Sequence, residues 1–520
     1  MFNILFVPGK VFKCEIIGII DYRCQLKLKY ERKIVMSQLK IWFAASEVVP
    51  FAKTGGLADV AGSLPKALKK MGVDIRVVMP KYGMIDSKYT SQMKFLGSCE
   101  VQLSWRKQYC GVFQLDYEGV TYYFIDNEYY FFREWYYGLY DDGERFSFFS
   151  KAILEVLPLI DFKPDIIHLN DWQTGMVSLL LDAHYRHRPD GFYQGIHTLL
   201  TIHNLKYQGV FPKSVLSELL DLDWRYFNIE GVEFFDQVNF LKAGISYSSC
   251  ISTVSRTYAE EIKYDFFGEN LQGVIRRRAG DLYGIVNGID FEVNNPETDP
   301  RIYVNYNKDD LSGKYENKRR LQEDLGLDVR NDVPVVSLIS RLVDQKGLDL
   351  IKAMMSELMD LGIQFIVLGT GDKHYEDMFK HAQYQYPGRV SANIKYDGTL
   401  AQRIYAGSDM YLMPSLFEPC GLSQLFAMRY GTVPVVRETG GLKDTVEPYN
   451  VYTREGTGFT FANYNAHEMK DAVVRAIEIY NNKEEWEALV KRCMSRDFSW
   501  TNSAKEYENL YREILKKFNI

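Results

Sequence analysis

The spacing of apolar positions changes several times along the chain, and each change marks an element. Ile41-Trp-Phe-Ala-Ala-Ser46 is an apolar segment, unbroken as far as Ala45, as a strand buried on both faces would be. From Val60 the period becomes helical. Val60, Leu64, Ala67, Leu68 and Met71 share one face and predict a helix over 61–71. Residues 74–80 read as a strand ending at Pro80, and 120–125 as an apolar β-arm. Residues 165–170 are a third strand, with Asp171 and Trp172 just past its end and a helix over 177–182. Residues 198–203 and 250–255 read as further strands, and 284–289 as a turn-rich one. Strands alternating with helices imply a parallel sheet. Ligands of such sheets bind outside the carboxyl ends of the strands, where Asp171, His203 and Asn204 fall.

A second series begins near 333. Strands are predicted at 333–340, 364–369, 409–413 and 432–436, each leading into a polar or Gly-rich loop. The polar stretch 291–332 between the two series reads as a linker. The fold class is therefore α/β, two Rossmann-like domains facing a deep cleft. The boundaries are 36–290 for the first domain and 291–495 for the second. Residues 496–520, with a charged amphipathic helix over 503–517, form a tail expected to return to the first domain.

Residues 1–35 stand apart. They carry seven Lys and Arg against three acids, and Ile16–Ile20 is too short to span a bilayer. Lys10, Lys13 and Glu15 break the apolar core a signal peptide would need. This segment reads as a dispensable extension. Over the whole chain the net charge is −6, so no broad basic field exists for nucleic acid, and no membrane association is expected. Seven scattered cysteines without a C-x-x-C point to a reducing compartment, hence the cytoplasm. Oligomeric state is not legible.

Four stretches carry chemistry. Lys53-Thr-Gly-Gly-Leu-Ala-Asp-Val60 joins the first strand to the first helix. Glycines there let the backbone approach a ligand, and helix-start amides favour negative charge. A Gly-Gly turn of this kind is as often only a tight turn, and on the local pattern the two readings stand level. The stretch is neither a P-loop nor a dinucleotide fingerprint; Gly369-Thr-Gly371 comes nearer to the latter but lacks its third glycine. Arg341 and Lys346 share a loop, as a solvated pair or as a clamp on a diphosphate. Phe417-Glu-Pro-Cys-Gly-Leu-Ser-Gln424 opens into a helix whose first amides, near Gly421 and Leu422, suit pyrophosphate. Cys420 has no partner at metal spacing. Thr439-Gly440-Gly441-Leu442 repeats the turn of residues 54–57, and both turns are expected to present amides to one ligand from opposite walls. Alone, His203 could be a satisfied core histidine, and Asp171 a helix cap.

These motifs, with Ile167-His-x-Asn-Asp-Trp172, Thr201-Ile-His-Asn204 and Val286-Asn-Gly-Ile-Asp290, resemble those of bacterial glycogen synthases and plant starch synthases, from about Met36 to the end. The resemblance implies a GT-B glycosyltransferase. Its implied reaction moves glucose from ADP-glucose, with retention, to the 4-OH end of an α-1,4-glucan. No D-x-D-like clamp is present, Asp141 and Asp142 being adjacent, so Arg341, Lys346 and helix-start amides are expected to meet the phosphate charge without a metal, and no cofactor is expected. Rival readings are a related transferase with another acceptor and an inactive glucan-binding protein. The resemblance implies catalytic roles for Glu418, Asp171, His203, Arg341 and Lys346. It implies substrate contacts for Lys53, Gly55, Gly56, Asp59, Tyr140, Asn204 and Asn287 on the first domain. On the second it implies them for Tyr396, Cys420, Gly421, Leu422, Gly440, Gly441 and Thr445. Phe426 stands where many other two-domain retaining transferases have a second Glu, which agrees with this family.

Overall fold

The computed structural model describes residues 38–518, so the segment 1–35 lies outside the described residues. The first apolar run forms β1 (Lys40–Ala44), buried throughout except for Lys40. It lies between β2 (Asp74–Pro80) and β6 (Ile166–Asn170), parallel to both. The sheet extends past β6 through β7 (His197–Ile202), β11 (Cys250–Thr253) and β12 (Leu282–Gly284), all parallel. On the other side come β5 (Val120–Asp126), β4 (Arg106–Tyr117) and β3 (Lys94–Leu103). Residues 120–126 are thus a full strand, parallel to β2, and the antiparallel arm is β3–β4. A small sheet of β8 (Val210–Pro212), β9 (Glu233–Phe234) and β10 (Gln237–Asn239) sits apart.

The second sheet is wholly parallel, in the order β15 (Val390–Asn393), β14 (Gln364–Leu368), β13 (Val335–Ile339), β16 (Met410–Met413), β17 (Val433–Arg437), β18 (Phe459–Phe461). Strand order reverses at β1 in one sheet and at β13 in the other. At such points the crossovers leave on opposite faces and a crevice opens at the carboxyl ends.

Three expectations change. The helix after Asp171 begins at once, at Trp172, and runs to Leu180. Residues 291–332 are no linker, because they hold the helix Ser312–Asp324, packed into the second domain. Leu321 apart, polar side chains do the packing there, which is why no apolar period marks it. Lys314 Nζ donates to the carbonyls of Ala406, Ser408 and Tyr430 at 3.0–3.1 Å, and Lys318 pairs with buried Asp409 at 2.7 Å. Of the stretch 284–289, only Gly284 is in β12, and Ile289 instead bridges Ser499.

The last helix, Trp500–Phe518, seats Tyr507, Leu510, Tyr511 and Ile514 in the core of the first domain. Tyr511 Oη bonds His168 Nδ1 on β6 at 2.7 Å, and His168 Nε2 continues to Thr201 on β7 at 2.7 Å. The tail is thereby fixed to two central strands by a buried chain of hydrogen bonds through His168.

Candidate active site

The carboxyl ends of the two sheets enclose one cavity of about 1240 Å³. From the first domain it is lined by the turn after β1, by Asp171 after β6, by His203 and Asn204 after β7, and by Asn287. The second domain supplies Arg341 and Lys346 after β13, Tyr396 after β15, and Glu418 to Leu422 after β16.

On the first wall, Glu47 organises the turn. It is buried, and its carboxylate accepts from Thr54 N, from Thr54 Oγ1 at 2.9 Å and from Gly55 N at 3.3 Å. Burial raises its pKa, and these bonds oppose the rise. The Gly55 amide is therefore taken by protein rather than offered to a ligand. The helix Gly56–Lys70 that follows has no side-chain cap, and Gly55 and Gly56 line the cavity. Lys53 is not a free charge either, because its Nζ meets Asp59 at 2.7 Å. Burial raises the Asp59 pKa and Lys53 opposes it.

Deeper in, Asp171 sits at φ +57 and accepts from His203 N at 2.7 Å. Its carboxylate thus holds the exit of β7 and leaves the helix after it uncapped. Burial lifts its pKa to about 7, against the hydrogen bonds from the His203 and Asn204 backbone. His203 Nε2 is 2.9 Å from Asn170 Oδ1. Asn170 Nδ2 donates to Ala44 O, which leaves Oδ1 as the acceptor and puts the His203 proton on Nε2. Desolvation pulls the His203 pKa down to about 3, so the ring is neutral and its Nδ1 can only accept. Asn287 Oδ1 is buried with no partner, a polar atom that a bound hydroxyl would satisfy.

The second wall is built around an ion pair. Lys346 Nζ lies 2.6 Å from Glu418 Oε2, which also accepts from Ser415 Oγ at 3.1 Å. Two loops are laced together beneath it. Leu416 N donates to Gln345 O at 2.9 Å, and Gly347, at φ +68, lies so close to Pro414 O that a Cβ would come within 2.0 Å. Arg341 reaches across the cleft to Tyr207 Oη at 3.3 Å. Cys420 is buried in the lining, its thiol pushed up to about 12 by burial, with Asn287 beside it. Tyr396 stands at the rim, 85% exposed.

Four predicted contacts fall outside the cavity. Tyr140 is 89% exposed. The turn that carries it is pinned by Arg133–Asp141 and Arg145–Asp142 pairs, and Tyr137 and Gly138 line the cavity in its place. Gly440, Gly441 and Thr445 are buried behind residues 418–420. Gly440 N donates to Glu261 at 3.1 Å, and Gly441 N to Glu418 O at 3.1 Å. Thr445 Oγ1 donates to Gly441 O and accepts from Gln424. This second turn presents no amide to the cleft. Sequence reasoning missed Glu47, although an acid directly after a buried strand was a signal for it.

Two family models match the chain, the starch synthase catalytic domain over residues 40–277 and glycosyl transferases group 1 over residues 323–492. Glycogen synthase from Caldicellulosiruptor saccharolyticus is 56% identical over 479 residues, covering 92% of this chain and all of the relative. The one from Desulforamulus reducens is 53% identical over 477 residues, covering 92% and 99%. The chain belongs to the glycogen and starch synthase family. It is a glycosyltransferase of that family, with two Rossmann-like domains in the GT-B arrangement. Among solved structures, the catalytic domain of starch synthase IV from Arabidopsis thaliana, bound to ADP and acarbose, superposes with a TM-score of 0.86 at 36% identity, covering 92% of this chain and all of that one. Sucrose-phosphate synthase from Thermosynechococcus elongatus, at 17% identity and a TM-score of 0.59 over 92% of this chain, shares the fold. Among the described residues no helix is long and apolar enough to cross a membrane.

Proposed function

We propose that this protein transfers glucose, with retention, from ADP-glucose to the non-reducing 4-OH end of an α-1,4-glucan, as a glycogen synthase. The observation that carries the reading is the Lys346–Glu418 pair facing Asp171 and His203 across one cavity at the carboxyl ends of both sheets. The names of the curated relatives and the ADP and acarbose held by the starch synthase neighbour support it.

The bond from the glucosyl C1 to the diphosphate breaks, and one from C1 to the acceptor O4 forms. Charge grows on the departing diphosphate. Arg341 and Lys346 are fixed cations that meet it in a site partly closed to water, where such contacts count for most. Glu418 takes hydroxyls of the transferred glucose, and Gly421, Leu422 and Cys420 bound the same pocket. Tyr396 stacks on the base. Asp171, His203, Asn204 and Asn287 receive the sugars on the first wall, with Lys53 and Asp59 at its edge. No metal or other cofactor enters this scheme. A cytoplasmic location fits the seven scattered cysteines, which form no C-x-x-C.

Incubating purified protein with glycogen and either ADP-glucose or UDP-glucose tests the reading. Faster turnover of ADP-glucose, unchanged by EDTA and yielding α-1,4 linkages, is expected. Equal or better use of UDP-glucose would overturn the donor assignment. Failure to extend glycogen with either donor would favour a glucan-binding protein.

A further inference from the structure

The second Gly-Gly turn has no place in the cavity, yet its packing is tight. A Cβ on Gly440 would lie 1.9 Å from Glu418 O, and one on Gly441 2.0 Å from Cys420 O. With Gly441 N bonded to Glu418 O, the turn is a seat on which the backbone of residues 418–420 rests. That seat is held from the other domain. Glu261 ends the helix Arg256–Glu261 of the first domain. Its carboxylate accepts from Thr439 Oγ1 at 3.0 Å and from Gly440 N at 3.1 Å to each oxygen. The start of the same helix adds two more ties. Thr257 gives Asp444 both its N, at 2.9 Å, and its Oγ1, at 2.5 Å. Ser255 Oγ donates to Pro419 O at 2.6 Å.

We propose that Glu261 is a positioning residue for glucosyl transfer: through the Thr439–Gly441 seat it sets where Glu418 stands in the cleft. The proposal rests on the reading of Glu418 as the residue that meets the donor sugar. A carboxylate suits the task because it offers two acceptors to donors that are otherwise buried, and losing it leaves Gly440 N and Thr439 Oγ1 unpaired. The seat would then relax away from the first domain, and Glu418 with it. Glu261 touches no substrate itself, since it lies behind the seat and outside the cavity lining.

A double-mutant cycle decides the matter. Glu261→Ala should lower kcat about 10- to 100-fold, the scale expected when a reacting group is displaced by about 1 Å. The affinity for ADP, measured by calorimetry, should stay within about twofold, because the phosphate-binding cations are not on the seat. Glu261→Gln keeps one acceptor oxygen and should recover part of the loss. In a Glu418→Gln background the same Glu261→Ala change should cost less than about threefold, since its effect runs through Glu418. Full additivity of the two losses would overturn the proposal, as would an unchanged kcat accompanied only by a lower Tm. Should Glu261→Ala fail to fold, Glu261→Gln and Thr439→Val carry the same cycle. Absence of glucosyl transfer by the unaltered protein would instead sink the functional reading, and a silent Glu418→Gln would sink the role of Glu418.

Discussion

Two turns with the same Thr-Gly-Gly-Leu sequence, 54–57 and 439–442, do opposite work. Both join a strand to a helix, and each is gripped by a glutamate, Glu47 buried and Glu261 half-buried, that takes the threonine hydroxyl and a glycine amide. Glu47 does this within the first domain, Glu261 across the interface. They differ in what fills the space above the glycines. Gly55 has nothing within 4 Å of a would-be Cβ and opens on the cavity. Above Gly440 and Gly441 lies protein backbone. A missing Cβ therefore marks room for an approach without saying what approaches: at Gly55 the open cavity, at Gly440 and Gly441 the backbone of residues 418–420.

The sharpest way to break this comparison is to fill both spaces. Gly441→Ala forces its Cβ onto Cys420 O, and Gly440→Ala adds a backbone angle of φ +45 that disfavours a side chain. Overpacking of this kind costs roughly 1–3 kcal/mol of stability. Activity should fall by more than about 100-fold, because residues 418–420 must shift. Gly55→Ala, at φ −154 and with open space, should unfold within about 0.5 kcal/mol of the unaltered protein and act mainly on substrate KM. Urea unfolding and steady-state kinetics read both outcomes, and equal losses at Gly55 and Gly441 would erase the distinction.

A second contrast concerns the ion pair on each wall. Lys346–Glu418 is nearly enclosed, with 16% and 9% of the two side chains exposed, whereas Lys53–Asp59 shows 44% and 31%. Lys346→Ala should weaken ADP binding by roughly 1.5–3 kcal/mol, the worth of a charge-assisted contact. Glu418→Gln, which keeps the shape, should lower kcat and leave ADP affinity nearly unchanged. Because the two side chains touch, their losses should not add; a coupling of about 1 kcal/mol or more is expected. Lys53→Ala should change the unfolding free energy by less than about 1 kcal/mol, as exposed pairs do. If Glu418→Gln lost ADP as badly as Lys346→Ala, Glu418 would be a nucleotide or structural residue.

Strand–helix alternation was readable where the parallel strands are buried and run as continuous apolar stretches, as β1 and β14 do, whereas the partly exposed antiparallel strands β3 and β4 carry no such run. Polar residues at strand ends pointed to one cavity for the same topological reason. The helix Ser312–Asp324 escaped because polar residues make up most of its buried face: Lys314 meets the carbonyls of Ala406, Ser408 and Tyr430, Lys318 meets Asp409 and Val333 O, and Asn317 meets Val304 O. Tyr140 stands exposed on a turn flanked by the Arg133–Asp141 and Arg145–Asp142 pairs, a geometry that residue type and spacing do not reveal. The second Gly-Gly turn misled because its occupant lies more than twenty residues upstream. Composition and spacing carry local conformation; they do not carry what is packed against it.

The smallest effect belongs to the first wall alone and is a near-cancellation. His203 has a folded pKa of about 3 against about 6.5 in the unfolded chain. As pH falls from 7 to 5 the unfolded state takes up a proton that the folded state refuses, so this group's contribution, fully present above about 6.5, is progressively lost. Asp171 runs the other way. Its folded pKa of about 7 exceeds the unfolded value of about 3.9, so over the same range the folded state binds the proton and gains stability. Each pKa unit is worth about 1.4 kcal/mol. Both groups keep some contact with water, so each slope should amount to about 1 kcal/mol between pH 7 and 5, with opposite signs. The pair together should leave stability nearly flat. Replacing one member exposes the other. Relative to the unaltered protein, His203→Asn should become more resistant to urea at pH 5 than at pH 7, and Asp171→Asn less resistant. Urea midpoints at the two pH values for the three proteins decide this. Shifts of the same sign in both variants, or none in either, would mean that burial at the cavity wall does not hold these protons as described, and with it would go the neutral His203 on which the first wall's acceptor role depends.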